Sequence, residues 1–251
     1  MLTARYCDRF ATTTARKEGH CMHVPDGFLD APTSVATGAA AVVVVGAALR
    51  GARRELDDKT VPLAGLVAAF VFATQMLNFP VGAGTSGHLM GGTLAAVLVG
   101  PWTAILCMST VFIVQCLLFA DGGVTALGTN IILMGVITAA VGWILFKLIT
   151  AALPKRIGVI APAAAVGALV SVPVAAVAFT LLYAVGGTAD IPLGSLATAM
   201  IGWHTLIGIG EAIITFLAVG SILAVRPDLV YGARPALASR RLVITTGKVS
   251  A

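Results

Sequence analysis

The sequence predicts an all-α integral membrane protein, a bundle of about seven transmembrane helices, and three observations carry that prediction. Of 251 residues, 58% are hydrophobic and only 11% charged, where a soluble domain carries about 25% charged residues. With a mean hydropathy of +0.98, the chain has too little polar surface to cover a globule of its size. The apolar residues also run in stretches of about 20, the length of a membrane helix, and not in the alternating ~10-residue segments of a membrane barrel. Lastly, the basic residues sort to one side of those stretches.

The spans read roughly 33–49, 61–77, 88–100, 102–120, 129–149, 157–185 and 195–225. The third is short and is closed by the Gly100-Pro101 turn. The sixth carries Pro162 and Pro173, tolerated in membrane helices, where a kink is expected. The 28 glycines and many alanines suit close helix packing in lipid.

Orientation follows from Lys and Arg. The segment "RGARRELDDK" (50–59) holds four, Lys147 with "PKR" (154–156) makes three, and the chain from Arg226 onward holds five. The alternate loops 78–87, 121–128 and 186–194 hold none. By the positive-inside rule the C-terminal end, 226–251, is a cytoplasmic basic tail and Met22 faces outside. The net charge of +5 is thus explained by topology and calls for no nucleic-acid partner.

Residues 1–21, "MLTARYCDRFATTTARKEGHC", place Arg5, Arg9, Arg16 and Lys17 on the wrong side for that topology. They also lack the apolar core of a signal peptide. The expectation is that translation starts at Met22, residues 1–21 being a gene-model extension, and that 22–225 form the membrane domain. The rival is a retained outer arm, in which His20 and Cys21 would supply replacement donors. The other cysteines, Cys107 and Cys116, lie in an apolar run and read as small core residues, as do Met76, Met90, Met108, Met134 and Met200.

Few residues could do chemistry. "GAGTSGH" (82–88) lacks the Lys of a phosphate-binding loop, so the chain does not hydrolyse ATP itself. No HExxH or GxSxG occurs, and no catalytic residue is assigned. If Met22 is the first residue, its amine, the His23 amide nitrogen and the His23 Nδ1 close fused chelate rings around one metal. A fourth equatorial position remains for another imidazole, and four coplanar nitrogens suit Ni(II) or Cu(II) and accept Co(II). The candidate fourth ligand is His88, in the Gly-rich loop "NFPVGAGTSGHLMGG" (78–92), on the same side of the membrane by charge.

"MHVPDGFL" (22–29), that loop, "ALGTNIILMGVI" (126–137) and "LIGIGEAIIT" (206–215) together resemble the CbiM/NikM family, the substrate-specificity components of energy-coupling-factor cobalt and nickel transporters. The resemblance runs from Met22 to about Asp228. It implies a six-helix core plus an extra N-terminal helix, with metal held by Met22, His23 and His88, and with Asn78 and Ser86 organising the site. It implies no resident cofactor; Co(2+) or Ni(2+) is the cargo. The implied partners are a transmembrane coupling subunit, ATPase subunits and a small CbiN/NikN-like membrane subunit, in the bacterial plasma membrane. Gly65, Ala69 and Ala73, a small-residue stripe on the second span, point to docking of the coupling subunit, with internal packing as the alternative.

His204 and Glu211 are seven residues apart on one span and share a face. They either tie that span to its neighbours or serve coupling or metal access. The competing reading of the whole chain is a membrane metalloenzyme built on His88, His204 and Glu211, which would need three fixed ligands and an open position.

Overall fold

Asp30 opens the first helix, its carboxylate accepting the Thr33 N–H at 2.9 Å with Pro32 in the first turn. This helix, α1 (Ala31–Ala52), buries Thr33, Thr37, Ala41, Ala48 and Ala52 and turns Val35, Val42, Val43 and Leu49 outward. Small residues inside and aliphatics outside invert the pattern of a soluble helix. In lipid that arrangement costs nothing and lets backbones approach closely. The computed structural model describes residues 23–58, 60–76, 79–81 and 85–244, with side chains for all of these except 79–81, 85–87 and 240–244.

The chain continues through α2 (Thr60–Gln75), a two-stranded antiparallel hairpin of β1 (Phe79–Val81) and β2 (Thr85–Gly87), α3 (Gly92–Val99) and α4 (Pro101–Leu118). Then come α5 (Leu127–Ala152), with a π-helical stretch at Ile131–Ile137, α6 (Ile160–Gly186), α7 (Leu193–Val225) and the short amphipathic α8 (Arg234–Ile244). Among the described residues five helices, α1, α4, α5, α6 and α7, are long and apolar enough to cross a membrane. Helix α2 is apolar but has only 16 residues.

The third expected span is corrected. In place of 88–100 the chain forms an eight-residue helix, α3, every residue of which is buried. At about 1.5 Å per residue it rises only ~12 Å. It sits inside the bundle against α2, α4, α5 and α6, which is where a non-spanning segment is tolerated at membrane depth. Pro162 also departs from expectation: it lies in the first turn of α6, where no helical hydrogen bond is lost. Only Pro173 lies within the helix.

Close backbone approach fixes the centre. A Cβ added to Gly167 on α6 would stand 2.7 Å from the Gly142 carbonyl oxygen of α5. Thr93 on α3 ties three helices, donating to the Thr138 carbonyl at 3.0 Å and lying 2.9 Å from the Ser171 hydroxyl.

Two helices begin on buried carboxylates. Glu55, 3% exposed, accepts the Trp102 and Thr103 N–H groups at 3.2 and 2.7 Å and the Thr103 hydroxyl at 2.9 Å, capping α4. Glu211 instead holds the two residues that lead into α3, accepting the Met90 and Gly91 N–H groups. The segment after α7 packs back onto the Glu55 end: Val230 and Ala233 are buried, and Arg234 pairs with Asp57 at 2.9 Å. The opposite end gathers residues 23–30, the 121–126 loop and residues 186–191.

Candidate functional site

Residues 23–30 form a plug stitched into that opposite end. Asn130, at the last α-helical position before the π stretch of α5, grips Val24 through both amide atoms: its Oδ1 accepts the Val24 N–H at 3.1 Å and its Nδ2 donates to the Val24 carbonyl at 3.3 Å. The Gly123 N–H donates to the same carbonyl at 3.0 Å. Asp26 accepts the Thr125 N–H and hydroxyl at 2.7 and 2.5 Å. On the other side Thr188 N–H donates to the Phe28 carbonyl at 3.1 Å and Asp30 N–H to the Gly186 carbonyl at 2.7 Å. Burial alone would raise the Asp26 pKa. The Thr125 hydroxyl and the N–H groups of residues 124–126 outweigh it and hold the carboxyl below the ordinary range.

This stitching drives His23 into the bundle, where it is 5% exposed. Its Nδ1 lies 3.1 Å from Asp121 Oδ2, and its ring stands edge-on to Phe112. Gly122 makes room: it has a φ of +88°, and a Cβ there would fall 2.9 Å from the His23 Cβ. The His23 Nε2 is buried with no hydrogen-bond partner among the described residues.

His88 arrives from the far side of the Gly-rich loop. It is 6% exposed, with Nδ1 2.9 Å from the Leu89 carbonyl. The His23 and His88 rings meet edge to face with centroids 5.0 Å apart. Sixty-five positions apart in sequence, the two candidate imidazoles are neighbours.

A polar network holds the His88 segment. Glu211, 2% exposed on α7, accepts the Met90 N–H at 2.8 Å and the Gly91 N–H at 2.9 Å, one on each oxygen. Gln75 of α2 donates to the Met90 carbonyl at 2.8 Å, and Gln115 of α4 donates to Gln75 Oε1 at 2.9 Å. Three helices thus fix the two residues after Leu89.

The structure does not unite His88, His204 and Glu211. His204 turns its Nδ1 to the Met200 carbonyl of its own helix at 2.7 Å. Both Glu211 oxygens are engaged, and no group of three His, Cys, Asp or Glu side chains able to hold a metal occurs among the described residues. Cys107 and Cys116 are free and buried, as expected; Met90, Met108 and Met134 fill the core. Met22, Asn78, His20 and Cys21 lie outside the described residues, as does the Ser86 side chain. Asn130, Asp121, Asp26, Gln75, Gln115 and Glu55 were not singled out from the sequence. Asn130 lay inside a quoted motif, as a lone amide in an apolar run, which was the one signal available.

A bundle with spanning-length helices, an aliphatic outer surface and a buried imidazole pair at one end defines a multi-pass membrane protein built around a polar site and not around a reaction centre. The sequence matches the model of the CbiM family, the cobalt uptake substrate-specific transmembrane region, over residues 23–229, and the chain belongs to that family. It is similar to a provisionally named metal transport protein of Haloquadratum walsbyi, 39% identical over 210 residues, 84% of this chain and 94% of the other. It is similar also to the fused nickel transport protein NikMN of Rhodobacter capsulatus, 35% identical over 239 residues, 90% of this chain and 69% of that protein. A crystal structure of a truncated transition metal transporter superposes with a TM-score of 0.72 at 33% identity, covering 81% of this chain and 99% of that one. The chain is a transmembrane component for cobalt or nickel uptake, and not an enzyme.

Glu211 therefore has a positioning task that His204 lacks. Glu211→Gln replaces one acceptor by a donor facing a backbone N–H, losing a charge-assisted hydrogen bond worth about 1.5–3 kcal/mol. It is expected to weaken Ni(II) or Co(II) binding by the purified protein by about tenfold or more, while His204→Phe leaves it within about twofold. Calorimetric titration of both variants checks this; equal effects would assign Glu211 no special part in placing His88.

Proposed function

We propose that this chain is the substrate-capture subunit of an ATP-driven energy-coupling-factor importer for Co(II) or Ni(II). It binds the ion through the Met22 amine, the His23 amide nitrogen and imidazole, and the His88 imidazole. The observation that carries this reading is the buried contact of His23 with His88. The rings stand edge to face with centroids 5.0 Å apart, so only a small reorientation separates them from sharing one metal at about 2.0 Å from a nitrogen of each. The chelate uses the His23 Nδ1, the atom now beside Asp121, so capture exchanges carboxylate for metal there. Until then Asp121 orients the ring. Asn78 and Ser86 are proposed to organise the loop by hydrogen bonds.

Seven membrane-embedded segments fit the family's six-helix core and added N-terminal helix if α2 and the buried α3 are counted with the five long ones. The absence of arginine and lysine from residues 22–30 and from the loops 78–87, 121–128 and 186–194 supports placing Met22 outside and the Arg226 end in the cytoplasm. Transport then needs partners: a coupling subunit, ATPases and a small CbiN/NikN-like subunit. The fused relative, of which this chain matches 69%, supports the last of these. Gly65, Ala69 and Ala73 all face outward from α2, which favours docking over internal packing. The choice between cobalt and nickel stays with the metal's own chemistry, since the nitrogen set accepts both.

His88→Ala is expected to abolish high-affinity metal binding while the protein still elutes as a folded species. Inserting one Ala between Met22 and His23 keeps every donor type but enlarges the chelate, and binding should collapse equally. Tight binding by either variant, read by equilibrium dialysis, would sink the four-nitrogen site. A native chain starting upstream of Met22 by intact mass, yet binding tightly, would exclude the amine.

Affinity should fall steeply from pH ~7.5 to ~5.5, the range over which free amines and imidazoles in general take up protons in competition with metal. Release of the plug is not the cause in that window. The folded Asp26 pKa is depressed, so its tether is fully present above the unfolded value of about 3.9 and is lost only as pH falls through the lower folded one. A flat metal affinity over this range would point to carboxylate or thioether ligands.

Ala69→Leu should reduce co-purification with the coupling subunit by several-fold and leave metal affinity unchanged, since a larger side chain separates helices that small residues let touch. Normal co-purification would leave the stripe without a partner.

A further inference from the structure

At the end of the bundle opposite the plug lies a cavity of about 350 Å³ between the C-terminal turns of α5, the start of α6 and the first turn of α8. Its lining includes Lys147, Lys155, Arg156 and Arg234, with Trp143 and Tyr231, and contains no acidic residue. Lys147 stands over the Trp143 ring at 5.9 Å and Arg234 over Tyr231 at 4.6 Å. Arg234 is committed to Asp57; among the described residues no carboxylate pairs with Lys147, Lys155 or Arg156. Three cations therefore line one hollow with no described carboxylate paired to them. The volume is at the lower end of what small-molecule sites enclose.

The surroundings are those of a membrane–water boundary. Helix α5 leaves its apolar run at Ala152 and α6 enters its own at Ile160, so the cavity sits where the spans end. Tryptophan and tyrosine are the residues that favour that level. Beside the cavity on α5, Ile144 and Leu148 are 56% and 61% exposed and Leu153 is 46% exposed, an aliphatic track running from the hollow along the outer face of the bundle. Helix α8 closes the far wall, its buried Ala236 on the inside.

We propose that this cavity is a binding site for the phosphate headgroup of an anionic phospholipid, whose acyl chains lie along Ile144 and Leu148. A phosphodiester satisfies the unpaired cations of Lys147, Lys155 and Arg156, and the tails cover aliphatic surface that no protein element covers. A free phosphate supplies the first but not the second. Each lysine or arginine near an anionic lipid contributes about fivefold in affinity. The lipid thereby fastens the end of α5 to the α5–α6 turn.

The test is native mass spectrometry of the delipidated full chain, titrated separately with phosphatidylglycerol, phosphatidylcholine and inorganic phosphate. The expected result is one retained phosphatidylglycerol, held at least about tenfold more tightly than phosphatidylcholine and not displaced by millimolar phosphate. Lys155→Gln with Arg156→Gln should weaken it roughly 30-fold, and Lys147→Gln, on the other wall, about fivefold. All three residues are exposed, so the fold should be unaffected, as an unchanged elution profile would verify. Equal affinity for the two lipids, or no change in the variants, overturns the proposal. Displacement by phosphate makes the site one for free anions. Unchanged lipid binding with lost co-purification of transporter subunits makes it a protein interface.

Discussion

A backbone N–H buried away from water must find an acceptor, and in this bundle two helices start where water cannot reach. The two residues before α3, Met90 and Gly91, lie buried inside the protein with no turn behind them to accept their N–H groups. Glu211 solves this from α7, taking the N–H groups of Met90 and Gly91 on separate oxygens. Glu55 solves it for α4. The negative carboxylates also complement the positive ends of the helix dipoles. Because His88 lies two residues before Met90, the requirement that stabilises α3 also determines where the candidate ligand points. Fold and site share one interaction.

The second half of the site is built in the opposite way, from a segment with no regular structure. Residues 23–30 are held in the manner of a strand: the Asn130 side chain pairs with both backbone groups of Val24, and the backbone of Thr188 and Gly186 takes up Phe28 and Asp30. Nothing in the segment's own propensity would fix it, so its order is borrowed from α5 and the turn after α6. The glycine at 122, in a left-handed conformation no bulky residue adopts readily, is what lets His23 reach the depth of Phe112 and His88.

Hydropathy located the long helices within a few residues, because lipid demands continuous apolar surface and leaves little ambiguity. It failed at 88–100 for a physical reason: apolar character reports removal from water, and a segment buried in protein satisfies it as well as one crossing the bilayer. His23 and His88 were legible because histidine is scarce in this chain and each stood in an unusual local sequence. Glu55 was hidden in "RGARRELDDK", a stretch that reads as a solvated basic loop, and only the fold turns its carboxylate onto Thr103. Asp121 and Gln75 were invisible for a similar reason. Their roles depend on which backbone atoms lie opposite, and one sequence does not encode that pairing locally. Glu211 was legible as an intramembrane acid, but its partners, the Met90 and Gly91 N–H groups, were not, since a shared face with His204 says nothing about what lies across from it.

The placement of the imidazole pair constrains how a captured ion could proceed. On the proposed reading, a dication held by an amine, two imidazoles and one deprotonated amide nitrogen still carries a net positive charge, and moving that charge into an apolar interior is costly without compensating groups. Beside the imidazoles stands Phe112, one turn of α4 from Met108, with Gly135 of α5 packed against both. These side chains are apolar and Phe112 and Met108 are almost wholly buried. On the proposed reading, the chain by itself accepts the ion at one end, and passage requires the bundle to be reoriented or its helices separated. The free energy for that must come from outside this polypeptide, which lacks a phosphate-binding loop. On that reading, capture and movement fall to different subunits because a buried chelate tight enough to collect a scarce metal leaves no continuous polar route for releasing it.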